Sequence, residues 1–77
     1  VPTFHRFPGF RLDVRSRDHA PPHFHVIGPD FHALIGMRDL QVMQGTISRK
    51  AYAEVVAWAA DRTDELLAEW SRLNERD

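Results

Sequence analysis

The chain has 77 residues, of which 43% are hydrophobic and 27% charged, with a formal net charge of −1, so it is an ordinary globular composition and not a disordered one. At this size a single domain buries only about 60% of its unfolded surface, around a thin core. No cysteine is present, which excludes disulfides and thiolate metal sites, and no apolar run reaches the length of a signal core or membrane span, so a cytoplasmic location without a membrane partner is the expectation.

In chain order, the first half alternates as half-buried strands do. In FRLDVRSR, residues 10–17, Phe10, Leu12 and Val14 take one side, and Arg11, Asp13, Arg15 and Arg17 the other. In HFHV, Phe24 and Val26 face inward, with His23 and His25 outward. The Gly-Pro-Asp chemistry of IGPD, residues 27–30, predicts a hairpin turn. FHALIGM follows, with Phe31, Ala33, Ile35 and Met37 on one side and His32 and Leu34 on the other. A weaker strand, LQVM, puts Leu40 and Val42 inward, and the β segment closes at Gly45.

From Ser48, a candidate N-cap, the period changes. Tyr52, Val55, Val56, Ala59, Leu66, Leu67, Trp70 and Leu73 recur at three- and four-residue steps, which predicts an amphipathic helix. Unbroken from residue 49 to 74 it would be about 39 Å long, against about 23 Å for a seven-residue strand. It therefore overhangs the sheet or breaks near Arg62-Thr63-Asp64, where Thr63 could cap a second helix. An unbroken helix would leave Leu66, Leu67, Trp70 and Leu73 as an exposed apolar stripe for a partner or a second copy. The architecture is α+β: three or four antiparallel strands at 1–45 and a long C-terminal helical segment at 48–75, in one domain spanning 1–77.

Charge is unevenly placed along this chain. Residues 1–38 carry five arginines, three aspartates and all five histidines, whereas residues 39–77 carry five basic and eight acidic groups. If the alternation holds, Arg11, Arg15, Arg17, His23, His25 and His32 share the sheet face that the helix leaves open. RDHAPPHFHV, residues 17–26, concentrates three histidines within seven residues.

Three readings of that segment differ in chemistry. In the first, RNA is cleaved by acid–base catalysis without a cofactor: His23 and His25 exchange protons with the substrate, and Arg17 stabilises the charged phosphorane-like state. Asp18, His19, Arg11 and Arg15 then bind or orient, and because the net charge is slightly negative the RNA must meet a local patch. In the second, His23 and His25, two residues apart on a strand, reach one ion with His32 from across the hairpin. That makes a three-imidazole site for zinc or another divalent transition metal, oriented by Asp18. Ala20-Pro21-Pro22 separates His19 from His23 by about 12 Å if it is extended. In the third, Arg17, Asp18 and His19 cap a loop and the strand histidines are structural. Trp58 and Trp70 read as packing anchors, and Phe4, Phe7 and Phe10 as the edge of the core.

VPTFHRFPGFRL, RDHAPPHFHV, FHALIGM and AWAADRTDELLAEW together resemble a family of small bacterial and archaeal proteins known as domain of unknown function 4160. The resemblance covers nearly the whole chain, and its specific part is an acidic residue, His19, Pro22, His23, Phe24, His25 and Val26 in that order. It implies a component of a toxin–antitoxin-like module, paired with a small operon-encoded protein or with itself. Combined with the residue pattern, it makes the RNA-directed reading the leading one. A non-catalytic adaptor and a His-ligated metal-binding protein are the alternatives.

Overall fold

The computed structural model describes residues 3–74; the extreme positions of the expected 1–77 domain, including residue 75 of its helical segment, lie outside the described residues. Five strands form one antiparallel sheet in sequential order: β1 (Thr3–Phe7), β2 (Phe10–Asp13), β3 (His23–Ile27), β4 (His32–Gly36) and β5 (Val42–Thr46). Two helices follow, α1 (Arg49–Ala59) and α2 (Thr63–Asn74). The α+β expectation is met.

Three differences from the alternation pattern have local causes. β1 gives no two-residue signature because its pairing with β2 shifts register between Thr3 and His5, a bulge that puts Phe4, His5 and Phe7 around Trp58. The Pro8–Gly9 pair then closes the hairpin, with Gly9 at φ 86° as a tight Pro-Gly turn requires. β5 begins two residues later than LQVM because Leu40 adopts a left-handed backbone (φ 58°), and Val42, expected inward, is 41% exposed. Gly45 (φ 86°) lies where a side-chain carbon would come within 2.1 Å of the His32 carbonyl oxygen, so only glycine fits there.

The helical segment breaks where the polar residues cluster. Ser48 caps α1, its Oγ accepting from the Ala51 N–H at 3.2 Å. At the far end the Arg62 guanidinium donates to the Trp58 carbonyl at 2.7 Å, satisfying one of the carbonyls that a helix end leaves free. The cap of α2 is the Arg62 carbonyl, which accepts from Leu66 N–H; Thr63, expected to cap it, is the first helical residue and its hydroxyl donates back to Ala59 at 3.4 Å.

The break lets both helices lie on one sheet face. Leu12, Val14, Phe24, Val26, Ala33, Ile35 and Met37 from the sheet side meet Val55 and Ala59 of α1 and Leu66 and Trp70 of α2 in one buried cluster. Each large apolar side chain enclosed there contributes about 1.5–3 kcal/mol. The partner stripe is thereby corrected. Leu66 and Trp70 are core residues, Leu67 and Leu73 pack against the core, and among the described residues the exposed large apolar ones are Val42 and Met43 on β5. No helix among the described residues is long and apolar enough to cross a membrane.

Candidate metal centre

The sheet face away from the helices is built by the other half of the same alternation. Asp13 of β2 is directly opposite His25 of β3, which in turn is opposite Leu34 of β4; His23 is opposite Gly36. His23 and His25 point away from Phe24 and Val26 as expected, yet they are only 5% and 7% exposed. Their cover is the segment between β2 and β3, which folds back over the strand and sets Asp18 against both rings.

Asp18 is held in place from the opposite end of the chain. Its backbone N–H donates to the Asn74 side-chain oxygen at 2.7 Å, and the Asn74 amide donates to the Arg15 carbonyl at 2.8 Å and to the Trp70 carbonyl at 3.1 Å. The last residue of α2 thus fastens the loop to the helix layer. Between these two attachment points Arg17 turns the chain with a left-handed backbone (φ 60°), and beyond them the Ala20–Pro21 peptide is cis.

One carboxylate oxygen serves both histidines. Asp18 Oδ2 lies 3.1 Å from His25 Nε2 and 3.4 Å from His23 Nε2. His23 Nδ1 is 2.9 Å from the Pro21 carbonyl. A carbonyl can only accept, so Nδ1 carries the proton and a neutral ring turns its Nε2 lone pair towards the carboxylate. Two electron pairs facing each other repel unless a proton or a cation lies between them. At His25 the second nitrogen, Nδ1, is 3.2 Å from His32 Nε2. Burial lowers the pKa of His25 from its ordinary 6.5 and outweighs the Asp18 carboxylate, which pulls the other way; the nearby Arg15 cation adds to the lowering.

This donor set suits a transition-metal ion. The ligand atoms of Asp18, His23 and His25 all lie within 4.8 Å of one another. Donors sharing one ion at about 2.0–2.2 Å sit roughly 3–3.5 Å apart, a range that includes both distances to Asp18. Each imidazole also has a hydrogen-bonding partner behind it, the Pro21 carbonyl for His23 and the His32 ring for His25, as metal-bound histidines usually do. The expectation of no cofactor is corrected on this geometry: a buried two-histidine, one-aspartate cluster is able to coordinate a metal ion.

The remaining sequence candidates are dispersed. His32, expected beside His23 and His25, meets the far nitrogen of His25 and stands behind the cluster. His19 and Arg17 are exposed on the loop. Arg11 and Arg15 flank Asp13, which is fully buried, at 3.3 and 3.7 Å. Asn74 was not anticipated at all, since 56 residues separate it from Asp18 and no local pattern joins them.

Fold and site together define a small α+β domain carrying a buried histidine–aspartate cluster on its sheet. The model of the family described as Domain of unknown function (DUF4160) matches residues 9–71, and the chain belongs to that family. No curated protein and no solved structure matches it.

Proposed function

We propose that the chain is a metal-binding domain in which His23 Nε2, His25 Nε2 and Asp18 Oδ2 ligate one divalent transition ion, zinc foremost. The observation that carries this reading is the pair of imidazole nitrogens on one carboxylate oxygen, with the tautomer of His23 fixed by Pro21 so that its lone pair faces inwards. Two nitrogens and one oxygen suit zinc and its neighbours better than calcium or magnesium. Three protein ligands leave a coordination position for water, the arrangement of catalytic zinc centres, and with Asp18's side chain 20% exposed that position is within reach of solvent. The ion would supply Lewis acidity to water or to a substrate oxygen.

RNA cleavage by the histidines alone has less support. It assigns the stabilising charge to Arg17, which is exposed on its turn, and the cation that does lie near His25, Arg15, is shared with buried Asp13. A toxin–antitoxin-like role and an operon-encoded partner rest on the family resemblance alone.

Calorimetric titration of zinc, and the visible spectrum of cobalt, test the proposal on the tag-free chain. One ion per chain is expected, with a tetrahedral or five-coordinate cobalt spectrum that disappears in His23→Ala and in His25→Ala. Binding that is absent, or unaffected by both substitutions, overturns it.

A further inference from the structure

Past His25, the hairpin end of the sheet holds a cleft of about 410 Å³, lined by Arg6, Arg11 and Ile27 of the histidine face together with Phe7, Phe10, Pro29 and two glycines. Arg6 and Arg11 are directly opposite each other in the β1–β2 ladder, so both guanidiniums leave the same side of the sheet. Like charges in that position destabilise a strand pair. Asp13 takes only the Nε of Arg11, at 3.3 Å to each carboxylate oxygen, which leaves the two terminal nitrogens of Arg11 without a protein partner among the described residues. Arg6 is exposed and has no ion pair among those residues either. Two guanidiniums lining one cleft offer a site for an oxyanion that accepts from both, and a doubly charged one is attracted more strongly than a singly charged one.

We infer that this cleft binds the terminal phosphoryl group of a phosphorylated small molecule. Arg11 is two residues along β2 from Asp13, which is opposite His25, so the cleft begins about 7 Å along the face from the histidine row. A phosphate seated on Arg6 and Arg11 leaves the rest of a small substrate directed along the face towards Asp18, His23 and His25. The assignment of the reacting end rests on the metal-binding reading; the phosphate subsite does not.

The test is a titration of the zinc-free chain with inorganic phosphate, methyl phosphate and dimethyl phosphate, followed by the arginine Nε–H resonances. The first two should shift the Arg6 and Arg11 signals saturably, and the singly charged diester should bind at least about tenfold more weakly. Arg6→Gln should weaken phosphate binding about tenfold without altering zinc stoichiometry. Arg11→Lys keeps a charge beside buried Asp13, so the chain should stay folded while losing the two-pronged contact. Equal affinity for the diester would overturn the terminal-phosphate assignment in favour of a nucleic-acid backbone. Absent shifts, or shifts unchanged in Arg6→Gln, would overturn the subsite. Zinc titration of the same samples reports separately on the metal centre, so phosphate binding in a chain that takes up no zinc would retain the cleft and remove the metal reading.

Discussion

On one face of β3, Phe24 and Val26 are buried by two helices that bring apolar groups; on the other, His23 and His25 are buried almost as deeply by a loop that brings a carboxylate. The first burial is favourable in itself, because apolar surface leaves water. The second is costly unless each polar atom finds a partner. Both ring nitrogens of His23 and of His25 have one, and at His23 the Asp18 contact is a proper partnership only when a cation or proton lies between the two groups. One face therefore supplies the stability that the other uses to hold a histidine–aspartate cluster away from bulk water.

Substituting adjacent residues of β3 separates the two faces. Phe24→Ala should lower unfolding free energy by about 3–5 kcal/mol in urea, enough to unfold much of a chain this small. His25→Ala in the metal-free protein should cost less, about 1 kcal/mol. Zinc should close most of that gap. At a free concentration a hundredfold above Kd it should add about 2.7 kcal/mol to the parent chain and nothing to His25→Ala. Equal stabilisation of parent and His25→Ala by zinc would break the comparison, because the polar face would then have no specific role in binding.

Asn74 is where the two faces communicate, since it belongs to the helix layer and hydrogen-bonds to the loop that carries Asp18. Asn74→Ala should weaken zinc binding about tenfold while leaving the stoichiometry at one. Asn74→Asp is the sharper variant: its carboxylate still accepts from Asp18 N–H but can no longer donate to the Arg15 carbonyl, so affinity should recover only in part. An effect on stability with no effect on zinc affinity would make Asn74 a helix-end fastening and nothing more.

The face covered by the helices was legible in the sequence because its rule is local. Leu12, Phe24, Val26, Ala33, Ile35 and Met37 announce themselves by alternation, and Val55, Ala59, Leu66 and Trp70 by helical spacing. Only β1, with its bulge, and β5, with its left-handed Leu40, escape the rule, because both depart from the regular pleat. The site was half legible. Alternation puts His23 and His25 side by side, but nothing in RDHAPPHFHV states that the loop folds back far enough to bring the Asp18 carboxylate to both rings. An open β face predicts half-exposed histidines, and their burial depends on that fold-back and on Asn74, a contact spanning the length of the chain. His32 was misleading for a related reason: hairpin register puts its ring near His25, but at the nitrogen opposite the cluster.

The smallest expected effect is the pH dependence of the metal-free chain. Because burial lowers the pKa of His25 in the folded state, the unfolded chain takes up its proton first as the pH falls below about 6.5. The unfolded state then binds more protons than the folded one, so stability declines with falling pH until the folded ring also protonates. A single group limits the slope to about 1.4 kcal/mol per pH unit. The charged and titratable neighbours facing His25 are Asp13, directly opposite on β2, and Asp18, His23, His32 and Arg15. Protonating His25 relieves none of its burial, but it strengthens the contact with Asp18, which is why the decline should be shallow. Urea midpoints in chelator at pH 7.5 and 5.5 should differ in the parent and converge in His25→Gln, whose amide does not titrate. With zinc bound the same acidification should be steeper, because the ion must leave before either ligating ring can take a proton. A parent and a His25→Gln variant that decline in parallel would assign the acid sensitivity to other carboxylates and histidines, and would remove buried neutral His25 as the reason the polar face is ready to bind metal at neutral pH.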